Sequence, residues 1–173
     1  MAETKYGKYI IQEPIYKGRY APVMHICGEK HKCGDKLCAG AGFPAFPAEQ
    51  TLMCITEPFE MKATPHAHDY DQLLYFIGGN PKNLFEFEAI VEITLGEEAE
   101  KHLITTSSVV YVPKGMMHCP IHFKKVDSPI LFMHICLASE YSRSAGEMTG
   151  HPRSYETYSP EEIRAFRDNS LKP

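Results

Sequence analysis

The sequence predicts an all-β fold, and three observations support that prediction. Short segments that alternate apolar and polar residues fill the first three quarters of the chain. Gly and Pro residues separate these segments, and a helical period of apolar residues is nearly absent before the C-terminus. Many short strands at close spacing are typical of a β-sandwich or a β-barrel. We therefore expect one barrel-like β domain.

The clearest predicted strand runs from Phe85 to Leu95. Its odd-numbered residues are all apolar and its even-numbered residues are mostly polar, the alternation of an antiparallel strand with one buried face. Six further segments are predicted as strands: Ala21 to Cys27, Thr51 to Thr56, Gln72 to Ile77, Ser108 to Val112, Cys119 to Phe123 and Ile130 to Leu137.

A helix is predicted only near the C-terminus. Ser159 is a preferred N-cap residue, Pro160 suits the first helical position, and Glu162 holds the acidic position of a capping box. We predict a short helix from Pro160 to Arg167 on the outside of the barrel. The single domain, 1–173, then divides into N-terminal strands with a long Gly, Pro and Cys-rich loop (1–50), a barrel core (51–140) and a C-terminal extension (141–173).

Composition and charge exclude several classes of partner. The 173 residues, 43% apolar and 23% charged, suit one globular domain that needs no disulfide staples. The net charge of −4 and the scattered basic residues leave no patch for nucleic acid or anionic lipid. No apolar stretch resembles a signal peptide or a transmembrane helix. We expect neither nucleic acid nor membrane as a partner, and a cytoplasmic location.

The six cysteines are expected to be reduced thiols, because several lie inside predicted strands and nothing marks secretion. Cys119 is expected to be a small buried apolar residue. An alternative is a thiolate zinc site formed by Cys27, His31, Cys33 and Cys38. Their spacing lacks a CxxC pair, so we favour a loop with incidental thiols.

Three histidines form a candidate metal site. His66-Ala67-His68 places two imidazoles two residues apart, which in an extended strand puts both on one face within reach of one metal ion. His118 follows a Pro113-Lys114-Gly115 turn much later in the chain. Only a fold that brings these two segments together can combine the three imidazoles.

Both segments resemble the metal-binding motifs of the cupin superfamily. The first family motif is His-x-His, three or four residues, Glu, six residues and Gly. The second is Gly, five residues, Pro-x-Gly, two residues, His, three residues and Asn. The matching positions here are His66, His68, Gln72 and Gly79, then Pro113, Gly115 and His118. The resemblance covers roughly residues 56–123. It implies a jelly-roll β-barrel in which His66, His68, Gln72 and His118 bind one divalent metal.

The chain departs from the family pattern at four positions. The Gly that opens each motif is missing, with Pro58 or Phe59 near the first position and Ser107 at the second. Gln72 stands where the family usually has Glu, and His122 where it usually has Asn. An amide oxygen carries no charge, so an ion bound by three imidazoles and Gln72 keeps its full positive charge, with lower affinity and higher Lewis acidity. The alternative role for Gln72 is that of a hydrogen-bonding neighbour of a three-His site.

Gln72 cannot accept a proton, so other residues must do so if the reaction needs it. The candidates are Asp69, Tyr70, Asp71, Tyr111 and His122. Strand alternation places His122 on the same side as His118, so we expect it to face the barrel interior and to hydrogen-bond a ligand, with core packing as the alternative. His122, Tyr70 and Tyr111 are the candidate catalytic residues. His25 and His134 lie in apolar runs and are interpreted as core residues.

The ligand set suits several divalent transition metals: Fe, Mn, Ni, Co, Cu or Zn. The cupin resemblance implies an enzyme that binds a small oxygen-rich molecule through its metal, and also a homodimer. Dioxygenation is the first hypothesis, because three-His sites without a carboxylate resemble several cupin dioxygenases. Isomerases, decarboxylases and lyases share this fold. Non-catalytic binding or sensing, and a cupin that has lost its metal, are the other hypotheses.

Overall fold

A computed structural model describes residues 15–18, 21–27, 48–61, 63–138 and 156–170. Within these ranges the chain forms eleven strands and one helix: β1 (Ile15–Lys17), β2 (Pro22–Cys27), β3 (Glu49–Ile55), β4 (Phe59–Met61), β5 (Gln72–Gly78), β6 (Ala89–Leu95), β7 (Glu100–Ile104), β8 (Ser108–Val112), β9 (His118–Val126), β10 (Ile130–Cys136), β11 (Glu156–Thr157) and α1 (Pro160–Ser170).

The strands form two antiparallel sheets. The larger sheet has the order β11-β1-β2-β3-β10-β5-β8, and the smaller one has the order β4-β9-β6-β7. Strand β10 lies between β3 and β5, so segments far apart in sequence become neighbours. The predicted all-β fold with a short C-terminal helix is confirmed. No helix among the described residues is long and apolar enough to cross a membrane.

Aromatic side chains from both sheets pack together in the core. Phe76 and Phe132 come from the larger sheet and Phe123 from the smaller one, and each is at most 1% exposed. Their ring centroids lie 5.1 Å apart for Phe76 and Phe132, and 5.8 Å apart for Phe123 and Phe132. These contacts show that the inner faces of the two sheets bury a shared core.

The strand predicted from Phe85 to Leu95 begins four residues later, at Ala89. The side chain of Phe85 is 96% exposed. The backbone amide of Phe85 donates to Oδ1 of Asn83, and that of Glu86 donates to the Asn83 carbonyl. These amides are therefore engaged in a local turn rather than in a sheet ladder. The apolar alternation at 85–88 was misleading for this reason.

The predicted C-terminal helix is confirmed and extends to Ser170. Its capping box is formed: the Glu162 amide donates to Ser159 Oγ, and the Ser159 amide donates to Glu162 Oε2. Lys17 Nζ lies 2.8 Å from Glu162 Oε1. This ion pair connects the start of α1 to strand β1.

The buried polar residues gather at one end of the two sheets, which we call the polar end. Strands β3, β5 and β9 begin there, at Glu49, Gln72 and His118, and β10 ends there at Cys136. The buried polar side chains among the described residues are His25, Glu49, Thr51, His66, His68, Gln72, Thr94, His118 and His134. The opposite end of the interior is filled by apolar side chains, so the polar end is where a ligand site is expected.

Three cysteines of the described ranges, Cys54, Cys119 and Cys136, carry free thiols, in agreement with the prediction. Cys119 is buried as expected, at 6% exposure. The long loop is predicted over residues 28–48, and all of it except residue 48 lies outside the described residues, as do the alternative zinc ligands His31, Cys33 and Cys38.

Candidate metal centre

A backbone bridge brings the two histidine motifs together. His66 and His118 form an antiparallel β-bridge. The His66 amide donates to the His118 carbonyl at 3.1 Å, and the His118 amide donates to the His66 carbonyl at 2.9 Å. The Gly115 amide donates to the His68 carbonyl at 2.8 Å. The turn before His118 is therefore hydrogen-bonded to the segment that carries the other two histidines.

The three imidazoles converge on one point. Their ring centroids are 4.9 Å apart for His66 and His68, 4.5 Å for His66 and His118, and 5.0 Å for His68 and His118. One nitrogen of each ring lies within 4.8 Å of the others. All three residues are at most 4% exposed. Such a buried group of nitrogen donors can hold a transition-metal ion.

Backbone carbonyls orient two of the rings. His66 Nδ1 lies 2.7 Å from the Thr64 carbonyl oxygen, and His118 Nδ1 lies 3.2 Å from the Met116 carbonyl oxygen. A carbonyl only accepts hydrogen bonds, so each Nδ1 is the donor, and Nε2 of the neutral ring keeps its lone pair. This is the arrangement that metal-binding histidines use.

Tyr70, a candidate catalytic residue, lies beside these rings. It is 7% exposed and its ring stacks on that of His68, with centroids 4.8 Å apart and planes at 9°. The stacking limits rotation of the His68 ring. Of the three candidate catalytic residues, Tyr70 is the one that the structure brings to the imidazoles.

Gln72 carries a buried oxygen that suits a metal or a ligand. It is the first residue of β5 and is 4% exposed. Its Nε2 donates to Cys136 Sγ at 3.4 Å, while Oε1 has no hydrogen-bond partner among the described residues. A buried acceptor without a partner costs about 1–3 kcal/mol. A bound cation would remove that cost, so the residues present fit a metal with three imidazoles and one neutral oxygen donor.

Tyr111 and Asp71 are not brought to the imidazoles. Tyr111 is 55% exposed on β8, next to the buried Val112 and therefore on the opposite face of that strand. Partial desolvation, followed by the hydrogen bond and the charge of Asp71, raises the pKa of the Tyr111 hydroxyl. Asp71 Oδ1 also accepts the Lys114 amide at 2.9 Å. Both side chains thus interact on the outer face of the larger sheet.

The expectation that His122 faces the interior is wrong. Ile93 of β6 pairs with Ile121 of β9, and Leu95, two residues later, pairs with His118. A regular antiparallel ladder would pair Leu95 with Cys119, so β9 contains one extra residue at this point. This bulge, at which Cys119 has a φ of +79°, shifts the alternation of β9. Ile121 is consequently buried, and His122 is only partly buried and pairs with Glu92 on the outward face.

Three buried ionisable residues at the polar end were missed as functional candidates: His25, Glu49 and His134. They lie on three adjacent strands of the larger sheet. The one signal in the sequence is the recurrence of Met-His-Ile-Cys at 24–27 and 133–136. That recurrence places a histidine at the same point of two strands, but it does not show that the strands are close in space.

Comparisons with known proteins reveal similarity in structure alone. No protein-family model matches the chain, and no curated protein matches it. Among solved structures it is similar to a cupin superfamily protein from Desulfitobacterium hafniense, with 14% identity, coverage of 70% of this chain and 83% of that chain, and a TM-score of 0.40.

Two further solved structures illustrate the range of similar proteins. One is the polyketide cyclase RemF from Streptomyces resistomycificus, at 10% identity over 88% of this chain and 90% of that chain, with a TM-score of 0.45. The other is the iron(II) form of HppE, at 14% identity over 73% of this chain and 59% of that chain, with a TM-score of 0.44. At these identities the likeness concerns the fold.

Proposed function

We propose that this chain, which resembles the cupin superfamily, is a metal-dependent enzyme acting on a small oxygen-rich metabolite. One divalent transition metal would be held by His66, His68, His118 and Gln72. The observation that supports this proposal is the convergence of three buried imidazoles, each with a ring nitrogen within 4.8 Å of the others. Gln72 Oε1, which is buried and has no hydrogen-bond partner among the described residues, would be a fourth donor.

The chain's own residues would prepare this site before any ligand arrives. The carbonyls of Thr64 and Met116 hold the rings of His66 and His118 with Nε2 available. Cys136 Sγ accepts a hydrogen bond from Gln72 Nε2, which orients the side-chain amide so that Oε1 is available to a ligand. When bound, the metal would supply a Lewis acid that polarises the oxygens of a chelated ligand. Fe, Mn, Ni, Co, Cu and Zn all suit this donor set.

Dioxygenation is the reaction that we propose to test first. The proposed ligand set contains no carboxylate. In this respect it resembles the three-His sites of several cupin dioxygenases, and this resemblance is the support for testing dioxygenation first. Isomerisation, decarboxylation and elimination are the alternatives at the same site, and non-catalytic binding or sensing is the alternative outside catalysis. The homodimer and the small-molecule partner stay predictions.

Elemental analysis of protein purified without added metal tests the metal centre directly. We expect about one equivalent of a transition metal, as a single site of four donors binds one ion. Less than about a tenth of an equivalent, with no uptake on titration, would contradict the proposal. Assays of chelating metabolites with and without oxygen then identify the reaction: oxygen-dependent loss supports dioxygenation, and oxygen-independent loss supports a lyase, decarboxylase or isomerase.

A further inference from the structure

A second polar group, which we call the Glu49 cluster, lies inside the fold and consists of Glu49, His25 and His134. Glu49 is 0% exposed. Its Oε1 lies 3.9 Å from Nδ1 of His25 and 3.9 Å from Nε2 of His134. His25 Nδ1 also lies 2.8 Å from Thr51 Oγ1. A carboxylate is thus enclosed by two imidazoles in the interior.

The Glu49 cluster and the three-His group lie at the same end of the molecule. Glu49 is in register with Cys136 of β10, and Cys136 is in register with Gln72 of β5. All three side chains are buried on the inner face of the larger sheet. Two strand spacings separate the Cα atoms of Glu49 and Gln72 by about 10 Å. A small molecule bound to a metal beside Gln72 would therefore lie on the face of the sheet that also carries Glu49.

Among the described residues, the proton acceptors considered from the sequence are exposed or face outward, apart from Tyr70, whose neutral hydroxyl is a poor base. The four donors of the metal centre would be engaged with the ion, and the amide of Gln72 is not basic. The side chains of Tyr111 and Asp71 interact on the outer face, and His122 faces outward. A fully buried carboxylate is expensive to maintain compared with an apolar side chain of similar volume. Ionisable groups kept inside a protein at such a cost are candidates for catalysis.

We propose that Glu49 accepts the proton which the ligand loses when it chelates the metal. This inference rests on the proposed function. In the step, the O–H bond of an acidic hydroxyl breaks and its electron pair stays on the ligand oxygen. The proton forms a new O–H bond with the Glu49 carboxylate. The substrate class is a small molecule with an acidic hydroxyl next to a second oxygen donor.

Acetohydroxamic acid is a suitable probe, since it chelates divalent metals as its anion and must lose one proton. We propose calorimetric titration of cobalt(II)-loaded protein with this probe in two buffers that differ in ionisation enthalpy. The comparison gives the number of protons released to the buffer. We expect release near zero for the unmodified protein and about one proton per bound probe for Glu49→Gln. Glu60→Gln, which alters an exposed carboxylate on β4, is the matched control and is expected to behave as the unmodified protein.

Equal proton release by the unmodified protein and Glu49→Gln overturns the inference, and so does loss of cobalt from a folded Glu49→Gln. Failure of the unmodified protein to bind cobalt is a different result and overturns the proposed function itself. A second measurement needs no variant: infrared difference spectra of the unmodified protein on probe addition. A protonated carboxyl band should appear as a carboxylate band disappears, and absence of that change also overturns the inference.

Discussion

His25 and His134 lie on the two strands that flank β3, and both are in register with Thr51. The flanking strands carry the same Met-His-Ile-Cys sequence, at 24–27 and 133–136. Strands β2 and β10 both run antiparallel to β3 and lie along its two edges. Each residue of the repeated sequence therefore pairs with the same β3 residue as its counterpart in the other strand. Glu49 is enclosed by two imidazoles as a consequence of this arrangement.

Replacing His118 by Ala should remove the metal. Three donors would remain, and the β-bridge with His66 uses only backbone atoms, so the fold should persist. We expect metal content to fall from about one equivalent to less than about a tenth, consistent with the four-donor site of a bound ion. Elemental analysis and circular dichroism provide the measurements. His102→Ala, at an exposed histidine of β7, is the control and should retain the metal.

Replacing Gln72 by Glu should strengthen metal binding. A carboxylate in place of the amide oxygen adds a negative charge next to the ion, and we expect at least about a tenfold gain in affinity, or about 1.4 kcal/mol. Competition with a chromophoric chelator measures the change. Gln50→Glu, one residue from Glu49 and on the opposite face of β3, is the matched control. An equal effect of both substitutions would mean that Gln72 does not ligate.

Phe123→Ala should destabilise the fold far more than Phe85→Ala. Phe123 is 0% exposed and its ring stacks on Phe59 with centroids 5.0 Å apart. Truncation of a buried Phe costs about 3–5 kcal/mol. Phe85 is 96% exposed, so its truncation should change the free energy of unfolding by less than about 0.5 kcal/mol. Urea denaturation compares the two, and similar losses would contradict this packing.

Glu92 should contribute to stability at neutral pH and lose that contribution in acid. Hydrogen bonds from Lys124 and then Lys101 hold the pKa of its carboxyl below the ordinary value of 4.5. Because the folded-state pKa is the lower one, the stabilisation is present above pH 4.5 and disappears as the pH falls through the folded pKa. Thermal melts of Glu92→Gln should therefore show a lower Tm at pH 7 and no difference at the acidic end. The exposed Glu57→Gln provides the control.

Removing the N-cap of α1 should weaken the attachment of the C-terminal segment. Ser159→Ala deletes the acceptor of the Glu162 amide, and such substitutions cost about 1 kcal/mol. Hydrogen exchange at the first amides of α1 is the measurement, with faster exchange expected. Ser159→Thr retains a hydroxyl acceptor and should exchange nearly as slowly as the unmodified protein. Unchanged exchange in Ser159→Ala would show that the capping box does not limit opening of the helix.

Individual strands and the start of the helix could be predicted from local residue patterns. Gln72, Leu74 and Phe76 alternate with half-buried residues along β5, as the period of a strand requires. The helix at Pro160 follows from cap chemistry contained within four residues. The meeting of His66, His68 and His118 could be predicted from motif spacing, through resemblance to a family rather than from local physics.

The direction of side chains beyond an irregularity could not be read in the same way. In a regular strand, His118 and His122 would point to the same side of the sheet. The bulge near Cys119 breaks the regular alternation between them, so they do not. The alternating apolar pattern includes Phe85, but the backbone amide of Phe85 donates to Asn83 Oδ1 in a local turn and not to a neighbouring strand.

By itself, the sequence determined the strand-forming segments, the helix cap and the spacing of the three imidazoles, because each depends on neighbouring residues or on a short motif. Only the tertiary structure decided that His122 faces outward and that Glu49 lies between His25 and His134. The direction of His122 depends on the ladder between β9 and β6, and the position of Glu49 depends on the register of β2, β3 and β10, which are separated along the chain. Register is set by the packing of whole inner faces, and no local pattern contains it.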